Sequence, residues 1–595
     1  MAQQKVRVSA AMSPPILLVD DRRKVRLNGM AVVRVEALSS VKSCAPIDLV
    51  TLLNVSHSMG WAAAASPAEA PSRLDLLKKA MKFLIRELDD DDRLAIVAFD
   101  DQVIKEDTTG ILEISGNGRM AVEKKLDGLV AKGGTAFKPS LEHAVKILDG
   151  RADKSRVGFI MLISDGLDDN KFDWSDESIT PTDPVRGLLR KYPVHTFGLC
   201  NAHDPKALHF IAKESYGTYS SITDNLDSKV MEAFAVCLAG FKTVVAVDTY
   251  VDISSSSLKI TRIDSGGYTL RGGSGSTLIG TLYAGEAKDF VVYFYYITGA
   301  WTAGYYTTLS GITASVTYKD VASKLSTCTD KFSVSLPIHT ADSGTVPANP
   351  CPPFPVVLQQ MVRFKVLDLL TGVLKEFLVL KEEAGGAIHK EEGDDPVLQA
   401  MAANLLQRKW KEFKQSDESW KEAPRAFLDL GGIDRDINAM VGNLKQGLGV
   451  GCIYSWLSSY QMQRATVTGL PVHTVATAFR TPAMEAMVQE AHKQLQHEAS
   501  AQGPGQAACK RAVELLDMIN KRFELWCRLE GDVPPAFDPS SEREGGEYHK
   551  LAAVLRGDIS RVRQHDIYLA ADHAIKEWRS SFTPGEKMDG HGQDN

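Results

Sequence analysis

Cysteine is scarce in this 595-residue chain, and what there is does not pair. The eight, at 44, 200, 237, 328, 351, 452, 509 and 527, form no C-x-x-C. That spacing argues against a structural zinc site and against a dense disulfide framework. The expected role is that of small apolar residues in a reducing compartment. Positive charge is also short. Lys+Arg number 68 against 75 Asp+Glu, a net charge of -7, so no nucleic-acid footprint is expected. Long apolar runs are missing too. The longest, Phe290–Ile297, falls far short of the roughly 20 residues of a membrane helix. Met1–Lys5 is polar and lacks the apolar core of a signal peptide. These absences point to a cytoplasmic protein that engages neither nucleic acid nor membrane.

What the chain does have is an ordinary globular mix, 44% hydrophobic and 24% charged. Asp48–Val55, Arg93–Phe99, Val157–Ile163 and Val194–Leu199 are nearly unbroken apolar runs, the mark of strands buried on both faces. Between and after them, helical spacing recurs over Leu74–Leu88, Arg119–Val130, Pro139–Leu148, Pro205–Ser215 and Leu226–Ala239. Alternating strands and helices predict a doubly wound α/β unit with a mostly parallel sheet over residues 46–240.

From Thr243 the pattern becomes β-rich, with strands expected over Val244–Ile253, Leu258–Ile263, Thr277–Leu282, Phe290–Ile297 and Gly311–Tyr318. An antiparallel β-sandwich over 241–345 is the reading. The 1–45 segment, with strands expected at Val6–Ser9 and Met30–Leu38, is placed with it. A Pro-rich linker, Pro347–Pro355, opens a helical region over 346–530. Its helices are expected at Val356–Leu370, Val397–Phe413, Ala483–Leu495 and Ala512–Trp526, with a loop at Gln496–Gln506. Residues 531–595 read as a helical segment and a frayed tail.

Ligands of a wound sheet bind beyond the C-terminal ends of its strands. There the chain places Asn54-Val55-Ser56-His57-Ser58, then Gly133-Gly134-Thr135, then Ser164-Asp165-Gly166. Hydroxyls and a carboxylate are hard oxygen ligands, suited to Mg²⁺ or to Mn²⁺ or Ca²⁺. Alternate positions let Ser56 and Ser58 face the same way, and the glycines let the loops approach one another.

On these residues the sequence resembles the von Willebrand factor A (VWA) family, whose metal-ion-dependent adhesion site is written D-x-S-x-S, then Thr, then Asp. The resemblance implies Ser56, Ser58 and Thr135 as hydroxyl ligands and Asp165 as the distal carboxylate. Asn54 stands where the family has its first Asp. That removes one negative charge, so the implied metal site is degenerate and weakened. Further stretches, among them Asp92-Arg93-Leu94, Val194-His195-Thr196-Phe197-Gly198, Gln463-Arg464-Ala465 and Thr481-Pro482-Ala483-Met484, are similar to plant VWA proteins that carry a RING finger and act as ubiquitin ligases. A RING needs eight paired Cys/His ligands, and residues 1–45 hold only Cys44. The implied function is protein binding through the loop edge, without enzyme activity, to a partner that presents an acidic side chain. The alternative is a subunit, substrate receptor or competitor in a ubiquitin-ligase system, paired with a RING-bearing relative.

Other motifs have plainer readings. His57 has no third orienting residue beside its serines and is not read as catalytic. His195 lies in an expected buried strand and is read as a hydrogen-bonded core residue. His203-Asp204 is read as a loop and helix cap, Asp89–Asp92 as a solvated turn, and Gly272–Ser276 as a hairpin turn. Asn54-Val55-Ser56 matches a glycosylation sequon, but at the end of a buried strand.

Overall fold

The structure is a computed structural model. It describes residues 5–501 except 14–16, 20–25, 40–44, 63–70, 170–171, 224–225, 269, 272–275, 298–307, 324–325, 341–354, 384–395, 417–429 and 471–478. The expected helix Ala512–Trp526, the 531–595 segment, the linker before Pro355 and the Gly272–Gly275 turn lie outside the described residues. By its contacts the chain divides into two compact units, residues 1–491 and 492–595. The described part of the second is the end of one helix, residues 492–501.

The chain opens with β1 (Val6–Ser13), β2 (Leu17–Val19) and β3 (Arg26–Ala37). The wound sheet follows. Its strands are β4 (Ile47–Asn54), β5 (Arg93–Phe99), β6 (Leu112–Glu113), β7 (Val157–Ser164), β8 (Val194–Leu199) and β9 (Tyr219–Ile222), in the order β6-β5-β4-β7-β8-β9. All neighbours are parallel except β6, which runs antiparallel to β5. Every residue of β4 and β7 is buried, as continuous apolar runs require.

The intervening helices are α1 (Arg73–Glu87), α2 (Asn117–Asp127), α3 (Phe137–Asp149), α4 (Pro184–Leu189), α5 (Pro205–Glu214) and α6 (Leu226–Lys242). α1 begins in a capping box: the Ser72 hydroxyl accepts from the Asp75 amide, and the Asp75 carboxylate accepts from the Ser72 amide. α3 and α5 place Phe137, Leu141, Leu208 and Ile211 in one core with Val50, Leu52, Ile160 and Leu162. α6 covers the opposite side of the sheet, with Phe241 stacked on Phe159 at 4.1 Å and Phe234 against Phe197 at 5.2 Å. His195 is buried, its Nδ1 2.8 Å from the Thr218 hydroxyl and its Nε2 3.3 Å from the Tyr283 hydroxyl. Asp204 caps α5 by accepting from the Ala207 amide. The 89–92 turn departs from the expectation of a solvated loop. Asp89, Asp90 and Asp91 are exposed, but Asp92 is buried and its carboxylate accepts from the amides of Ile47 and Asp89.

Next come β10 (Val244–Ser254), β11 (Lys259–Asp264), β12 (Leu270–Arg271), β13 (Ser276–Tyr283), β14 (Ala287–Ile297), β15 (Thr308–Asp320) and β16 (Ser326–Thr340). They form two sheets, β1-β3-β14-β11 and β12-β13-β10-β15-β16-β2, antiparallel except for the β16–β2 pair. Val33, Val35, Phe290 and Phe294 of one sheet share a core with Val251, Ile279, Ile312 and Val316 of the other, which makes a sandwich.

The helices that follow are α7 (Pro355–Glu383), α8 (Pro396–Gln415), α9 (Gly431–Lys445), α10 (Gly451–Met462) and α11 (Pro482–Ala501). α11 runs through 496–501, where a loop was expected; Gln496-His497-Glu498-Ala499 has no Gly or Pro to stop it. α10 is buried almost throughout. Its serines bond the edge of the wound sheet: Ser458 Oγ accepts from the Tyr219 amide, and Ser455 Oγ donates to the Tyr219 carbonyl. The segment after α10 continues the contact, with the Ser221 amide donating to the Val467 carbonyl at 2.9 Å.

Candidate functional site

Two strand ends and the loop before α3 meet at one rim of the wound sheet. β4 ends in Asn54 and runs through Val55 and Ser56 into a short helical turn, His57–Gly60. The loop before α3 carries Gly133-Gly134-Thr135, and β7 ends in Ser164-Asp165. The structure brings together all five of the residues singled out in the sequence.

Their hydrogen bonds form one connected set. Asn54 is fully buried, and its Nδ2 donates to Thr135 Oγ1 (2.8 Å) and to Ser164 Oγ (3.0 Å). Its Oδ1 accepts from the Ser56 amide at 2.6 Å. Ser58 Oγ donates to Asp165 Oδ1 at 2.9 Å, and Ser56 Oγ lies 3.3 Å from the same oxygen. The two serine hydroxyls are 3.0 Å apart.

The loops are clamped from outside the set. Asp169 Oδ2 accepts from the Thr135 amide at 2.7 Å, and the Asp169 amide donates to the Thr135 carbonyl at 2.9 Å. Gly133 has φ +71°, and a Cβ there would stand 2.6 Å from Asp100 Oδ2. A Cβ on Gly134 would meet Asp101 and Asp169 oxygens at 2.2 and 2.4 Å. At Gly133 the left-handed backbone, with Asp100 Cβ 2.7 Å from where a Cβ would stand, calls for glycine. His57 is exposed, and its amide donates to the Gly133 carbonyl at 3.0 Å.

Sequence reasoning missed one member. Arg73, the first residue of α1, donates from Nη1 to Asp165 Oδ2 at 2.6 Å. The Asp165 side chain is fully buried and that of Arg73 is 13% exposed. The Arg73 Nε is buried and has no hydrogen-bond partner among the described residues. Trp61 lies over the guanidinium, 5.5 Å from its ring centroid, and is itself 54% exposed. Burial pushes the nearby Cys200 thiol up to about 11, with Arg73 pulling it down and Asp165 pushing it up. The one unusual trait of Arg73 in the sequence was a cation at a helix start, where the helix dipole disfavours it; its approach to Asp165, 92 positions away, is not readable from spacing.

The family pattern implies a divalent ion at this place, and the residues present do not fit one as they stand. The set holds one carboxylate, not two. Both Asp165 oxygens are taken, Oδ1 by serine hydroxyls and Oδ2 by a guanidinium. The Asn54 amide group, not a carboxylate, faces Thr135. No group of three His, Cys, Asp or Glu side chains that would hold a metal occurs among the described residues.

Comparison with known proteins agrees with the fold. Residues 62–221 match the von Willebrand factor type A domain family. The chain is 29% identical over 261 residues to E3 ubiquitin-protein ligase WAV3 of Arabidopsis thaliana, covering 42% of this chain and 30% of that protein. It is 25% identical over 263 residues to the probable E3 ubiquitin-protein ligase WAVH2 of the same organism, covering 41% and 32%. The aligned part thus spans about a third of these relatives' length. Among solved structures, a von Willebrand factor type A protein from Catenulispora acidiphila is similar at TM-score 0.45 and 17% identity, over 70% of this chain and 89% of that one. The chain therefore carries a von Willebrand factor type A domain over residues 62–221 and is similar, over about two-fifths of its length, to the named Arabidopsis proteins.

Proposed function

We propose that the chain is a cytoplasmic protein-binding module and that the rim of loops after β4, before α3 and after β7 is its binding face. The observation that carries this is the convergence of Asn54, Ser56, Ser58, Thr135 and Asp165 on one rim bordered by exposed apolar side chains. Trp61 is 54%, Leu167 46% and Val130 66% exposed. Exposed aromatic and aliphatic side chains beside a polar, internally bonded floor offer apolar surface for a partner to cover. A partner's acidic side chain would reach Arg73 at the floor while its apolar groups cover Trp61 and Leu167. No helix among the described residues is long and apolar enough to cross a membrane.

The test is affinity purification of the intact chain beside the Trp61→Ala/Leu167→Ser variant, whose two positions lie on the surface. Proteins captured by the wild type should be lost with the variant. An identical set of captured proteins would remove the rim as the binding face.

The named relatives favour a second reading, in which the rim presents a bound protein to a ubiquitin-ligase system. The role proposed in that reading is receptor or competitor beside a RING-bearing relative. Reconstituted ubiquitination would separate the two roles: a receptor speeds substrate modification by the relative, and a competitor slows it. Ubiquitin chains formed by this protein with only E1 and E2 present would contradict both.

A further inference from the structure

We infer that Arg73 replaces the divalent cation at this rim, so that the binding face is assembled and stays assembled without metal. The inference rests on reading the rim as a binding face and adds how that face is held. It begins with charge. In the family pattern two carboxylates and one dication sum to zero. Here Asn54 is neutral, Asp165 carries one negative charge, and Arg73 carries one positive charge, so the sum over the pattern's own positions and Arg73 is again zero, with Asp100, Asp101 and Asp169 on the surrounding loops. The arginine thus supplies within the chain the positive charge that a site with one carboxylate needs.

Geometry supports the same replacement. A cation serving this site must touch Asp165 and stand where the serine and threonine hydroxyls converge. Arg73 Nη1 touches Asp165 at 2.6 Å, and Ser58 and Ser56 hold the other carboxylate oxygen. On the far side Asn54 uses both amide protons, on Thr135 and Ser164. Thr135 Oγ1 therefore accepts a hydrogen bond from Asn54 where a metal ligand would offer its oxygen to an ion. Nothing in the set is left as an unsatisfied oxygen that calls for a cation. The orphan in this cluster is a donor, the buried Arg73 Nε, which would repel a metal and suits a carboxylate.

The position of Arg73 is itself over-determined. The Ser72–Asp75 capping box fixes the start of α1, and the Arg73 amide donates to the Trp61 carbonyl at 3.0 Å. Trp61 in turn donates its amide to the Ser58 carbonyl at 3.0 Å, which ties the arginine to the serine loop through the backbone. The guanidinium is thus delivered by the chain, with no dependence on ion concentration.

The test measures metal response on the purified intact chain and needs no partner. Wild type should give no binding heat in calorimetry with millimolar Mg²⁺ or Mn²⁺, and its melting temperature should not move with either ion or with EDTA. The Asn54→Asp/Arg73→Ala variant restores the second carboxylate and removes the internal cation. It should gain a saturable, EDTA-reversible rise in melting temperature. Arg73→Lys keeps the charge and should remain indifferent to metal. Saturable heat from Mg²⁺ or Mn²⁺ on the wild type would overturn the inference, and this measurement decides even where the double variant fails to fold. A rim that ignores metal yet binds no partner would leave Arg73 in its role and remove only the binding face.

Discussion

A buried carboxylate is tolerable only in company, and Asp165 shows what that company costs to remove. Its side chain is fully buried and its cationic partner Arg73 is reached from 92 positions away in sequence. Arg73→Ala leaves that charge inside with only hydroxyl donors. Loss of one member of a buried pair typically costs about 3–5 kcal/mol, and that range is the expected drop in urea unfolding free energy. Arg73→Ala/Asp165→Asn should recover a large part of it, because the charge leaves with its partner. A double-mutant cycle with no coupling between the two positions would refute the pairing. Asn54 and Asp165 were legible from residue type and spacing because both sit at strand ends. Arg73 was not, because a lone arginine at the start of a helix reads as a solvated surface group until the third dimension is known.

The loops that build the rim are short, and their reach depends on which backbones can touch. Gly133 is left-handed and in contact with Asp100. Gly133→Ala therefore meets both a strained φ and a clash. A left-handed backbone alone costs an L side chain roughly 1–2 kcal/mol; the contact adds to it. The expected result is a lower melting temperature together with weakened rim binding, whereas Gly110→Ala, where nothing stands within 4 Å, should leave both unchanged. β4, β5, β7 and β8 were readable because burial on both faces forces unbroken apolar runs. β9 (Tyr-Ser-Ser-Ile) and α10 (Gly-Cys-Ile-Tyr-Ser-Trp-Leu-Ser-Ser-Tyr-Gln-Met) were not. Their serines look like surface or turn residues, yet each element is buried. The hydroxyls of Ser455 and Ser458 are spent on the backbone of the other element, and α10 is covered all round, so it shows no amphipathic stripe. β16 hid for the opposite reason: none of its residues 326–335 is buried, and Asp330 and Lys331 are among them.

At the scale of the first compact unit, one buried ionic cluster joins its three parts. Arg464, just after α10, donates to both oxygens of Glu286 (2.7 and 2.9 Å), to the Thr281 carbonyl of β13 and to the Tyr216 carbonyl after α5. Lys288 is fully buried and donates to the carbonyls of Met462 and Gln463 at 2.9 and 3.0 Å, with Glu286 at 3.4 Å. Burial lowers the Lys288 pKa to about 7; Glu286 resists and Arg464 assists. In the unfolded chain the ordinary value is about 10.4. Between the two, the unfolded state holds a proton that the folded state has released, so this group's contribution to stability rises with pH above about 7 and is absent below it. The advantage of wild type over Lys288→Met should therefore widen from pH 7 to pH 9, by at most about 1.4 kcal/mol per pH unit. Urea titrations at several pH values would show it; a pH-independent difference would refute it.

The contact between β9 and residues 455–467 bears on how the wound sheet survives as a sheet. β9 is a terminal strand, and its amides at Tyr219 and Ser221 are answered by Ser458 and Val467 from a segment more than 200 positions later in the chain. An unanswered strand margin invites pairing with another molecule. The VWA fold of this protein is thus on loan from its own C-terminal half: residues 45–242 expressed alone should stick to one another in sedimentation experiments, and the 5–501 span should stay dispersed.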